Sequence, residues 1–99
     1  GMAAGAFAGG AVGRRMDEVD RQQLINAQAQ SLEFGKVGET TEWSNPDSGT
    51  SGSVSPVRTF QNAEGQYCRE FQQQITIGVQ TEDGFGTACR QADGSWRII

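Results

Sequence analysis

Cys68 and Cys89 are the two cysteines of a 99-residue chain that has no histidine, and their spacing restricts how the segment around them can fold. From Gln66 to Trp96 the sequence reads QYCREFQQQITIGVQTEDGFGTACRQADGSW, two β-rich runs with two candidate turns. A turn at Asp83-Gly84 would put Glu82 opposite Phe85 and Cys89 opposite Gly78, roughly 33 Å along the strand from Cys68. A two-residue loop at Gly78-Val79 puts Ile77 opposite Gln80; opposed residue numbers then add to 157, as 68 and 89 do. In that register the cysteines face each other as a non-hydrogen-bonded pair, where Cβ atoms come closest, near the roughly 3.8 Å that a disulfide requires. Phe71 falls opposite Gly86, an aromatic ring over a strand glycine, and Gln73 falls opposite Gly84.

Other uses of the cysteines fit less well. Zinc wants four ligands at short spacings, and the chain has no histidine and no CxxC. A catalytic thiol wants a neighbouring base such as histidine. A structural disulfide in an oxidising compartment is the reading, with a pair of free thiols in a reducing one as the alternative. Closing a loop of this length stabilises by roughly 3 kcal/mol. That matters in a chain so short, with 35% hydrophobic residues and a mean hydropathy of -0.53.

The rest of the chain predicts an α+β fold: an N-terminal amphipathic helix packed on a four- to five-stranded antiparallel meander with one cross-strand disulfide. Arg14 to Phe34 is the helix, with Asp17, Glu18 and Asp20 in its first turn and Gly35 after its last. Ile25, Ala29 and Leu32 define its expected buried face, widened by Leu24, Ala27 and Phe34 and extended by Met16 and Val19. Thr40 to Ser44 reads as a strand, Asn45 to Gly52 as a connection, and Ser53 to Gln61 as a second strand in which Pro56 marks an edge or a bulge. Asn62 to Gly65 is a turn, and Asp93-Gly94 signals a type I′ hairpin.

Upstream, Gly5, Gly9 and Gly13 recur every fourth residue, the spacing of a glycine zipper; a flexible Gly/Ala linker reads the same residues equally well. Residues 1–14 are expected to be a mobile, truncated zipper or linker, and 15–99 a single domain. No window approaches the roughly 20 apolar residues of a bilayer span. Gly1-Met2 reads as a cut point, with a signal segment expected before this numbering. The net charge of -4 and the single lysine, Lys36, argue against a nucleic-acid groove.

Chemistry-bearing groups are sparse. Acidic residues from Glu39 to Asp93 could supply a carboxylate pair for glycoside chemistry, but turns and strand edges ordinarily carry such charges in solvent. No catalytic residue, metal ligand or cofactor is assigned. Trp43 and Trp96 could form a recognition surface, or could simply lid the sheet. Cys68-Arg69 and Cys89-Arg90 place two arginines opposite the disulfide face, within reach of an anion or of Glu39 or Glu42. Trp43, Arg69, Arg90, Asp93 and Trp96 are thus the candidate interaction surface.

The runs Gly52-Ser53-Val54-Ser55-Pro56-Val57-Arg58-Thr59-Phe60, Tyr67-Cys68-Arg69-Glu70-Phe71, Gly86-Thr87-Ala88-Cys89-Arg90-Gln91 and Asp93-Gly94-Ser95-Trp96 resemble the C-terminal domain of the seventeen-kilodalton surface antigen family of Gram-negative bacteria. The resemblance spans about Trp43 to Ile99, and the glycine spacing upstream is similar to that family's glycine-zipper segment. It implies an outer-membrane lipoprotein with a signal peptide, a lipidated cysteine, a glycine-rich segment and then this domain, periplasmic or surface-facing. It brings no reaction and no catalytic residues. Expected partners are other envelope proteins or peptidoglycan, with the outer membrane reached through a removed N-terminal lipid anchor and no nucleic acid. The reading is a non-catalytic envelope module; the alternative is a periplasmic hydrolase or hydrolase inhibitor acting at peptidoglycan.

Overall fold

A computed structural model describes residues 15–99; the glycines at 5, 9 and 13 lie outside them. Helix α1 (Glu18–Phe34) precedes strands β1 (Thr41–Asn45), β2 (Thr50–Gln61), β3 (Tyr67–Ile77), β4 (Gln80–Arg90) and β5 (Trp96–Ile98). The strands form one antiparallel sheet in sequence order, a meander, and α1 packs on one face.

The central hairpin has the register that the cysteines require. Ile77 faces Gln80, Phe71 faces Gly86, Gln73 faces Gly84, and Cys68 faces Cys89 in a disulfide with a Cα separation of 4.0 Å. Gly78 has a φ of 61° while Val79 stays at negative φ, the II′ pattern, which needs glycine first. Phe71 lies so close over Gly86 that a Cβ there would meet its Cζ at 2.6 Å. At Asp93-Gly94, by contrast, only Gly94 has positive φ, so the hairpin is not type I′. Its loop is closed by Gly94 N–H to Gln91 O and Gln91 N–H to Ser95 O.

Strand β2 starts earlier than expected, at Thr50, which shortens the connection from β1. Pro56 lies just past Thr50–Val54, the part of β2 that pairs with β1, and beside a bulge: the register with β3 shifts between Pro56 and Arg58. The Pro56 carbonyl accepts from the Gly38 N–H at 2.9 Å, tying the connection after α1 to this irregularity.

The helix begins later than expected, at a capping box: the Asp17 carboxylate accepts from the Asp20 N–H at 2.7 Å, and Asp20 accepts in return from the Asp17 N–H at 3.1 Å. Its buried face is also rotated from the expected one. Asp20, Leu24, Ala27, Gln28, Ser31 and Leu32 are buried, whereas Ile25 is half-buried and Ala29 and Phe34 are exposed. The helix carries too weak an apolar stripe to orient itself by hydrophobicity; the buried Ser31 hydroxyl has no partner among the described residues, and the polar partners of Asp20 and Gln28 select the face. Gln28 Nε2, for example, donates to Gln73 Oε1 at 2.8 Å in the interior. Leu24, Ala27 and Leu32 join Met16, Trp43, Val54, Phe71, Ile75, Ala88 and Trp96 in the core.

Two stability predictions follow from this geometry. Leu32→Ala should cost about 2–5 kcal/mol in urea unfolding, while Ala29→Ser should stay within about 0.5 kcal/mol; equal costs would return the helix to the face read from the sequence. Replacing both cysteines by serine should lower stability by roughly 3 kcal/mol, read as a fall in the urea midpoint of the oxidised protein.

Candidate functional site

Four polar fastenings join α1 to the sheet, and they decide which of the sequence candidates remain accessible. At the helix N-terminus Asp20 is 1% exposed, yet it accepts from Asn45 Nδ2 and Ser48 Oγ, each at 2.7 Å. Burial alone would raise its pKa. The hydrogen bonds from Ser48, Asn45, the Asp17 backbone and Thr50 outweigh that and hold the carboxyl below its ordinary value. The Gln28–Gln73 bond sits mid-helix.

At the C-terminus the fastening is an arginine. Gly35 is not the left-handed cap expected; its backbone is extended, with φ -72° and ψ 139°. Arg69, buried beneath the last turn, supplies the missing donors: its Nη1 donates to the carbonyls of Ser31 at 3.2 Å and Leu32 at 2.8 Å, and its Nε to Thr59 Oγ1 at 3.0 Å. The Leu32 carbonyl thus meets a cation at the negative end of the helix dipole, and the Ser31 carbonyl, which also accepts from the Gly35 N–H at 2.9 Å, shares it.

The fourth fastening is centred on Glu33. Its Oε2 accepts from Trp96 Nε1 at 2.9 Å and from Arg90 Nη1 at 2.7 Å. The indole bond is the largest influence and, with the Arg90 bond and charge, holds its carboxyl below the ordinary range against the opposing effect of burial. Arg90 also lies over the Trp96 ring at 5.7 Å. The Cys-Arg pairs therefore do place both arginines opposite the disulfide, but they meet helix groups. The carboxylate among them is Glu33, not Glu39 or Glu42.

This arrangement divides the candidate surface. Trp43 is 7% exposed, its ring packed over Gly52, and Arg69 is 9% exposed; Trp96, at 6%, is a core residue too and offers the surface only an edge. Arg90, Asp93 and Trp96 come together at the β4–β5 turn. There Asp93 accepts from the Ser95 hydroxyl at 2.6 Å and its N–H at 2.9 Å, bonds that lower its pKa. Beside the turn lies an open groove of about 620 Å3, lined by Ile25, Ala29, Gln30, Glu33, Phe34, Gly94, Ser95 and Trp96. Phe34, 79% exposed, was read from the sequence as part of the helix's core face and instead borders this groove. Glu33 had no distinguishing sequence signal; its role arises from the proximity of β4 and β5.

Three further concavities among the described residues are, like this groove, each lined by one acidic side chain: Glu42, Glu70 and Glu64, against Glu33 here. Among the described residues no group of three or more Asp, Glu, Cys or His could hold a metal ion. No helix among them is long and apolar enough to cross a membrane.

A small meander stapled across its central hairpin and covered by one helix is the build of an extracytoplasmic module, since such disulfides persist in oxidising compartments. The chain belongs to the family of 17 kDa outer membrane surface antigens, whose model matches residues 30–97. It is 40% identical over 88 residues to the 17 kDa surface antigen of Rickettsia bellii, covering 89% of this chain and 55% of that protein. To the 17 kDa surface antigen of Rickettsia conorii it is 43% identical over 84 residues, 85% of this chain and 53% of the relative. The chain thus spans about half the length of the curated relatives it matches. No solved structure matches it.

The Asp20 cluster makes a pH prediction. An acid whose pKa is lower when folded binds fewer protons in the folded state, so its stabilisation is present above the unfolded value of about 3.9 and is lost as pH falls through the folded value. Asp20→Asn should therefore be less stable at pH 7 and lose less stability between pH 5 and pH 3 than the parent. Glu33, Glu70 and Asp93 are also held below their ordinary values and contribute to acid sensitivity in both proteins alike. Parallel urea midpoints across that range provide the check.

Proposed function

We propose that this domain is a non-catalytic module of the cell envelope, carried by an outer-membrane lipoprotein and acting by binding another envelope protein. Membership of the surface antigen family supports the envelope setting. The lipid anchor, the outer-membrane position and the periplasmic or surface-facing side belong to this proposal.

The observation that carries the binding reading is the groove between α1 and the β4–β5 turn. A phenylalanine 79% exposed beside a half-buried isoleucine and the edge of a tryptophan is what a protein partner buries at the centre of an interface. The charges at its rim are already matched, Glu33 by Arg90 and Trp96, so an apolar partner surface can close over it without stranding a charge. Hydrolysis of a glycosidic bond would need two carboxylates flanking one cleft, and among the described residues the groove is lined by Glu33 alone of the acidic side chains.

A photo-crosslinking residue at position 34 of the full-length protein, irradiated in its native envelope, should capture a discrete envelope protein. The same residue at Val79, fully exposed at the hairpin tip, should not. Identical capture at both positions would remove the groove from the reading. Turnover of an envelope substrate by the purified domain, abolished by Glu33→Gln, would replace binding with catalysis.

A further inference from the structure

The sheet face opposite α1 carries an unusual side-chain pattern. Exposed strands are ordinarily studded with charges that keep them solvated and discourage pairing. Here the strand registers align three transverse rows of mostly small, uncharged polar groups. Ser44, Ser51, Thr76 and Thr81 form one row, with the two threonine hydroxyls 3.0 Å apart. Glu42, Ser53, Gln74 and Asp83 form the next, Gln74 Nε2 donating to Asp83 Oδ1 at 2.9 Å. Ser55, Gln72 and Phe85 form the third, and the Thr40 hydroxyl is 3.0 Å from that of Ser55. A shallow concavity of about 440 Å3 lies over Ser44, Ser51, Ser53 and Gln74. The Phe85 ring, 70% exposed, stands at the end of the third row.

We propose that this face binds an extended, uncharged glycan chain. Strands lie about 4.8 Å apart and alternate residues about 6.7 Å apart, so hydroxyls and amides recur roughly at the spacing of consecutive sugar rings. Hydroxyls and amides of this kind combine donor and acceptor capacity, and each bonded hydroxyl pair still has one O–H and free lone pairs for a sugar hydroxyl. An exposed aromatic ring presents a negative π face to the C–H bonds on one side of a pyranose. Charge restricts the occupant further: within the three rows the ionised groups are the carboxylates Glu42 and Asp83, which repel phosphate- or sulfate-bearing polymers. Farther along the same face Arg58 is held by Glu70 at 2.6 Å. A protein partner is the poorer fit, because serine and threonine are under-represented among the residues that carry protein interfaces. The site lies on the face opposite the α1 groove, so either can fail without the other.

Isotopically labelled 99-residue chain titrated with chitohexaose, and separately with cellohexaose, tests the assignment. Binding should shift the backbone amides of Ser51, Ser53, Gln74 and Phe85 and leave those of Phe34 and Trp96 in place. Phe85→Ala, which removes the ring, and Ser53→Arg, which fills the concavity, should each weaken binding roughly tenfold, about the worth of one aromatic contact. Both positions are on the solvent face, and unchanged thermal unfolding confirms that each variant folds. The proposal is overturned by an absence of shifts with both hexasaccharides at millimolar concentration, by shifts centred on the α1 groove, or by unchanged affinity in two folded variants.

Discussion

The pairing of β3 with β4 is the constraint on which the rest of the molecule depends. A strand's side chains alternate between faces, so slipping β3 by one residue would send Phe71, Gln73 and Ile75 to the solvent side and turn Cys68 away from Cys89. The Cys68–Cys89 bond excludes that slip covalently, and the two-residue turn at Gly78-Val79 excludes it by geometry. With the register set, Arg69 on β3 faces α1 directly across from Ala88, and Arg90 lies two residues farther along β4 on the same face. The helix can then be fastened only by what those strands present.

That fastening is unusually polar for so small a domain. Leu24, Ala27 and Leu32 provide the apolar contact, but Asp20, Gln28, the terminal carbonyls and Glu33 each find a specific sheet partner. Apolar contact is non-directional and would tolerate rotation of the helix about its axis. Buried hydrogen bonds do not, because turning Asp20 or Gln28 away would leave Asn45 or Gln73 unpaired in the interior. Both sheet edges take part, Asn45 from β1 at one end of α1 and Trp96 from β5 at the other, so the sheet curls around the helix.

The molecule consequently has two accessible faces of different character. On the helix side the fastening of Glu33 neutralises the rim of a groove that leaves Phe34 open. On the other side the alternation that buries Val54, Gln73 and Ile75 brings serine, threonine and glutamine into rows. One chain of the surface antigen family thereby presents an apolar groove and a hydroxyl-rich sheet on opposite sides of a stapled scaffold.

What the sequence determined by itself was whatever depends on local chemistry and on integer register. The helix and its N-terminal acids, the order of the strands, the turn at Gly78-Val79, the disulfide and Phe71 over Gly86 are all legible, because turn type, two-residue alternation and Cβ spacing leave few alternatives. The surface was legible only in part. Arg90 and Asp93 do gather at one turn with the edge of Trp96, while Trp43, Arg69 and the body of Trp96 are buried, since a sequence shows that an arginine faces the helix but not that helix carbonyls await it. Which face of α1 is buried, why Gly35 needs no left-handed cap, and why Glu33 rather than Glu39 or Glu42 meets Arg90 were decided by tertiary structure alone. The physical reason is common to all three: each depends on hydrogen bonds between groups far apart in the chain, and no local propensity records where such a partner will be.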